Sequence, residues 1–226
     1  MIPFKDDNPT LTFPFVTIGL IALNIIVFIW EIMQPGGQQI PLMYGAIPHN
    51  LFSLEKTQPI SPAMTIFTSM FLHAGFLHIA GNMLYLWIFG NNIEDSLGHF
   101  RFLLFYLFSG IVAAFGHAFT DSQSMIPMIG ASGAVSGILG AYILLFPQAR
   151  VHTLIFFGFF FQVVRIPAVI VIGFWIAIQL ISGFASKGAL QQGGVAWFAH
   201  IGGFLAGLLT IKLWLLGKRR RPESYF

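Results

Sequence analysis

Apolar runs about as long as a bilayer is thick recur along this chain, and they limit its fold more than any other feature. They lie near 14–33, 76–93, 102–119, 132–146, 166–184 and 195–216. A chain inside lipid must satisfy every backbone amide internally, so it crosses as helices or as a closed barrel. Barrel strands alternate apolar and polar residues, whereas these runs are continuous. The expectation is an all-α, polytopic membrane protein with six spans in a single domain over 1–226. Only 8% of the residues are charged, against about 25% in soluble domains.

The distribution of charge orients the spans. The net charge of +3 does not point to nucleic acid, because four of the eleven basic residues form one cluster after the last run: Lys218, Arg219, Arg220 and Arg221. That cluster reads as a cytoplasmic flank. Six spans put both termini on one side. With the termini inside, Lys5, Arg101, Arg150, Arg165 and Lys212 join the tail there, and only Lys56 and Lys187 fall outside. There is no cysteine, which excludes disulfides and thiolate chemistry. Met1 to Asp7 lacks a basic n-region and a cleavage site, so the first run reads as a permanent anchor.

Two stretches fit no span. Residues 34–64 hold several prolines together with Leu42, Met43, Tyr44, Leu51, Phe52 and Leu54, as expected of a long loop partly immersed or packed on the bundle. Residues 153–164 are strongly apolar but too few to cross, and read as an interfacial or re-entrant segment.

With this orientation the second, fourth and sixth spans all enter from outside. His78 and Asn82 lie near the start of the second, Ser132 at the start of the fourth and His200 near the start of the sixth. Polar side chains from three distant segments thus reach similar depth in the outer half. Serine becomes a nucleophile when a base takes its proton, and histidine does so near neutral pH. No carboxylate lies in the spans near His200, so the expected unit is a dyad. His78 and Asn82 are four apart, on one helical face, and both can donate to an oxyanion. The Ser132 backbone N–H, at a helix start, is a further donor. Gly130 and Gly133 suit the close approach of a substrate strand.

A structural reading competes. Gly/Ala/Ser clusters bring membrane helices together, and Gly133 with Gly137, like Gly203 with Gly207, has the GxxxG spacing. Asn82 also suits a helix–helix hydrogen bond. Metal binding by His78 and His200 lacks an accompanying carboxylate or cysteine. His73, His117 and His152 sit at segment ends and read as interfacial.

The motifs Phe71-Leu72-His73 with His78 and Asn82, Gly130-Ala131-Ser132-Gly133, and His200 followed by Gly203 and Gly207 resemble the rhomboid family of intramembrane serine proteases. Asn91, Glu94 and Gly98 add to the resemblance, which extends from about Ile2 to Leu216. It implies a six-helix bundle with Ser132 as nucleophile, His200 as general base and acid, and His78 and Asn82 as oxyanion donors. It also implies a fifth span and 185–194 loop acting as lateral gate and cap, single-span membrane proteins as substrates, and no cofactor or metal. A bare six-span core fits a prokaryotic cytoplasmic membrane, with the active site opening to the outer side. Two positions depart from the family pattern. The first loop lacks the Trp-Arg pair of many relatives, so its anchoring needs another source. Ser136 stands where some relatives place an aromatic ring against the histidine, whose orientation must come from Tyr142 or another aromatic. The alternatives are a catalytically silent relative that binds and escorts membrane proteins, disfavoured by the presence of both Ser132 and His200, and a transporter. The latter predicts ionisable groups deep in several spans.

Overall fold

The computed structural model describes residues 1–53, 57–158, 160–186 and 195–217. Most of the expected cap loop, Lys56 and the basic tail lie outside the described residues. The chain is mostly helical. Strand β1 (Ile2–Asp6) precedes the long helix α1 (Phe15–Met33) and three short helices, α2 (Ile40–Tyr44), α3 (Pro48–Ser53) and α4 (Pro62–Ser69). Then come α5 (Phe76–Leu97), α6 (His99–Ala118) and α7 (Ser132–Leu145), strands β2 (Arg150–Phe157) and β3 (Phe160–Pro167), and helices α8 (Ala168–Ser186) and α9 (Trp197–Trp214). Helices α1, α6, α8 and α9 are long and apolar enough to cross a membrane. Helix α7 has 14 residues, about 21 Å, which is shorter than the hydrocarbon core.

Helix α1 shows how lipid inverts the usual amphipathic pattern. Its buried stripe, Thr17, Leu20, Asn24, Phe28 and Glu31, recurs every three or four residues and holds its polar side chains. Leu23, Ile25, Ile26, Ile29 and Ile32 face outward. The stripe docks on α5, which runs on to Leu97 through Glu94 and Asp95, where a polar connection is expected from the sequence. The turn to α6 is Gly98 alone, at φ +76°. Both acids are buried: Glu94 caps α1, and Asp95 holds the segment that leads into it. Glu94 accepts from the Val16 and Thr17 amides at 2.8 and 2.7 Å and from the Thr17 hydroxyl at 2.6 Å. Asp95 accepts from the Leu11 and Thr12 amides. Hydrogen bonds to a charged group contribute about 1.5–3 kcal/mol each, and a carboxylate at a helix N-terminus also meets the helix dipole.

The first loop is anchored by amides in place of the missing Trp-Arg pair. Buried Gln58 donates to the Leu42 and Gly45 carbonyls at 2.9 and 2.8 Å, and Asn50 donates to Gln58. Ala46 pairs with Met128, which ties this loop to the segment leading into α7.

Ten consecutive residues of α7, Gly133 to Tyr142, are buried, so neighbours surround this helix. Its glycines let α9 approach to backbone contact. A Cβ built on Gly203 would overlap the carbonyl of Gly133, and one on Gly207 would overlap that of Gly137. The two GxxxG pairs therefore serve packing within this chain.

The expectation of an all-α chain needs correction. Within the segment read as interfacial or re-entrant, residues 153–158 and 160–164 are extended and belong to the β2–β3 hairpin, with Gly158 at φ +60°. Strand β1, in the polar lead, pairs antiparallel with β2, Ile2 opposite Leu154 and Asp6 opposite Val151. A third strand gives the hairpin the pairing that a lone hairpin lacks. Buried Asp6 accepts a 2.6 Å hydrogen bond from the Tyr142 hydroxyl at the end of α7.

Two predictions follow from this packing. Burial raises the Asp6 carboxyl from 3.8 to about 6, so between these values the folded protein holds a proton that the unfolded chain has lost. The contribution of Asp6 to stability is then greatest below pH 4 and falls by about 3 kcal/mol as pH rises through 6. Melting of wild type and Asp6→Asn in detergent from pH 4 to 7 checks this: the stability of wild type relative to Asp6→Asn should decline as pH rises. Gly207→Leu should separate α7 from α9 and lower the melting temperature, while Gly173→Leu, at a position with nothing within 4 Å of a built Cβ, should not.

Candidate active site

The short α7 determines where Ser132 sits. The connector before it turns inward, with the Gly130 amide bonded to the Ser69 carbonyl at 2.8 Å. Gly130 has φ +118°, a conformation glycine adopts without strain. Ser132 is thus the first residue of α7, half-buried among neighbouring helices. His200 lies in the first turn of α9 and is buried. The glycine contacts between α7 and α9 bring the two side chains together: His200 Nε2 lies 2.8 Å from Ser132 Oγ.

His78 stands on the other side of Gly130. Its Nε2 would be 2.7 Å from a Cβ built on Gly130, and Ser132 Oγ would be 3.5 Å from the same point. The Ala74 amide donates to His78 Nδ1 over a long 3.4 Å. A nitrogen that accepts carries no hydrogen, so in the neutral ring the proton is on Nε2, the atom at Gly130. Asn82 lies one turn farther along the same face of α5. It is buried, and its Nδ2 has no hydrogen-bond partner among the described residues. An idle buried amide is costly in an apolar interior.

Other expectations change. Tyr142 does not reach His200; it contacts Asp6 and packs edge-on against Phe89. The rings beside His200 are Trp175 of α8, with centroids 5.9 Å apart, and Trp197, 6.2 Å away and perpendicular. Ser136 returns its hydroxyl to the Ser132 carbonyl at 2.5 Å. His73 is buried, 5.1 Å from the His78 ring, with its backbone amide on Glu31. His152 meets Asp7 at 2.6 Å on the sheet.

A further side chain at the site escaped the reading of the sequence. Gln179 of α8 is buried and places Oε1 2.7 Å from His200 Nδ1. Its signal was legible: it is the one carboxamide in the apolar run of α8, and a polar side chain inside a span needs a partner.

Sequence comparison places this geometry in context. Residues 61–217, more than half of the chain, match the Rhomboid domain family model. Rhomboid protein 1, mitochondrial, of Saccharomyces cerevisiae is 28% identical over 84% of this chain and 51% of its own length. Rhomboid protease GluP of Bacillus subtilis is 31% identical over 92% of this chain and 35% of its own. Rhomboid protease AarA of Providencia stuartii is 30% identical over 88% and 72%. The chain therefore spans about half or less of the first two relatives. The matched model covers α4 to α9 and every side chain of the site, and with the apolar helices it establishes that this chain is an integral membrane protein belonging to the rhomboid family.

Proposed function

We propose that this protein is an intramembrane serine endopeptidase that cleaves single-span membrane proteins in or near their transmembrane segment. The observation that carries the reading is the 2.8 Å contact between Ser132 Oγ and His200 Nε2, made between two buried helix starts. His200 removes the hydroxyl proton as Ser132 attacks the scissile carbonyl, then returns it to the leaving amine. The protonated Nε2 of His78, the Nδ2 of Asn82 and the Ser132 backbone amide receive the developing oxyanion. A donor idle in the resting site is what such a role requires, since it costs no reorganisation when charge appears.

Two more helices complete six spans in this proposal: α5, with 22 residues, and the short α7 at the centre of the bundle. The end that carries the sheet, Lys5, Arg150 and Arg165 faces the cytoplasm, in keeping with the positive-inside rule. Arg101 belongs to the same end and donates to the Trp214 and Leu216 carbonyls after α9. The site then opens toward the outer side.

Purified protein in liposomes, with a labelled single-span substrate, tests the reading. Wild type should cleave, and Ser132→Ala and His200→Ala should each reduce kcat by at least about 1,000-fold. Equal turnover by all three would remove the proposal. Asn82→Ala should lower kcat by about 100-fold while KM stays within about twofold. A rise in KM alone would instead make Asn82 a binding or packing residue.

A further inference from the structure

A serine–histidine pair works only if the imidazole presents a lone pair, not a hydrogen, to the hydroxyl. In a triad a carboxylate on the other ring nitrogen secures this. Among the described residues no carboxylate contacts His200, and what faces its Nδ1 is the side chain of Gln179 at 2.7 Å.

The orientation of that amide can be worked out from its second contact. Its Nε2 faces the Trp175 carbonyl, one turn back on α8, at a long 3.4 Å. A carbonyl oxygen only accepts, so the amide nitrogen belongs on that side and the amide oxygen on the side of the ring. An amide oxygen likewise only accepts. Nδ1 must therefore carry the hydrogen, which leaves the lone pair of Nε2 directed at Ser132 Oγ. The same helix supplies Trp175, which lies against the ring at a 37° tilt, so two residues four apart on α8 limit both the rotation and the proton position of the base.

We propose that Gln179 is the positioning residue of the dyad: it fixes the tautomer and ring plane of His200 from α8, the neighbouring span. This rests on the reading of Ser132 and His200 as catalytic and extends it to a third element. It also gives α8 a place in catalysis. Helix α7 and helix α9 are joined by backbone contact at their glycines, whereas the buried residues of α8 are only Ala168, Val171, Ile172, Gln179 and Gly183. The base is thus held on one side by a tight helix pair and on the other by a lightly seated helix. The dyad is competent while α8 is docked at the level of Gln179.

The test compares wild type, Ser132→Ala, Gln179→Leu, Gln179→Met and Gln179→Glu. Three quantities are read: kcat and KM on the labelled single-span substrate, the rate of covalent labelling by a small fluorophosphonate, and melting temperature in detergent. The fluorophosphonate needs an activated serine but no transmembrane substrate, so it separates positioning from substrate access. Gln179→Leu and Gln179→Met should lower both kcat and labelling rate by about 10- to 100-fold, with KM within about twofold. Gln179→Glu keeps an acceptor at Nδ1 and should restore most of the labelling rate. If either apolar variant folds and labels at the wild-type rate, the proposal is wrong, whatever happens to substrate cleavage. Equal loss in Gln179→Glu and in the apolar variants would also overturn it, by making Gln179 a packing residue. Failure of wild type to label, or labelling that persists in Ser132→Ala, would instead remove the assignment of the dyad itself.

Discussion

The contact on which the molecule depends is the backbone meeting of α7 and α9. Lipid gives helices no hydrophobic reason to associate, so close packing must hold them. Here Gly133 and Gly137 face Gly203 and Gly207 so closely that a methyl group on the α9 glycines would overlap an α7 carbonyl. This contact does more than add packing energy. Ser132 immediately precedes Gly133 of α7, and His200 lies three residues before Gly203 of α9. A one-turn slip between the helices would move a side chain by about 5.4 Å, ending the 2.8 Å contact between hydroxyl and imidazole. The packing explanation of the Gly/Ala/Ser cluster and the catalytic one are therefore not rivals: the glycines build the distance that the chemistry needs.

Polar groups at the two ends of the bundle are treated differently. Around Glu94 and Asp95, acceptors meet backbone amides and hydroxyls at 2.6–3.1 Å, which ties α1 to α5. Around Ser132, His78 Nε2 lies beside a glycine and Asn82 Nδ2 lies buried and unbonded among the described residues. In the proposed mechanism the unspent donors serve a charge that exists only during reaction.

Much of this was legible along the chain. Long apolar runs announce helices because hydropathy and length act together, and topology alone brings Ser132, His78, Asn82 and His200 to similar depth. The sheet was not legible, because β1 is five residues of a polar lead whose partner lies beyond three long helices and the short α7. A dozen apolar residues are also ambiguous between strand and helix when no periodicity decides. The extension of α5 to Leu97 was hidden because Glu94 and Asp95 look like a connector until their targets, the amides at the start of α1 and in the segment before it, are seen. Gln179 was visible as a lone amide, but nothing in one dimension pairs it with a histidine 21 positions later.

The choice of an amide over a carboxylate beside His200 follows from the surroundings. A carboxylate would stabilise the imidazolium formed during attack, but an unpaired charge within a span is costly in the resting state. Glutamine is neutral, and its single-acceptor oxygen still dictates which ring nitrogen is protonated. What it gives up is attraction for the transient positive charge on His200. In this geometry the compensating stabilisation falls on the other half of the developing ion pair. In the proposed mechanism that half is the oxyanion, for which His78, Asn82 and the first amide of α7 are the proposed donors. A dyad with a neutral orienting group should therefore lean more heavily on its oxyanion donors than a charged triad does, which gives a physical reason for two side chains on α5 to stand ready where one backbone amide is already at hand.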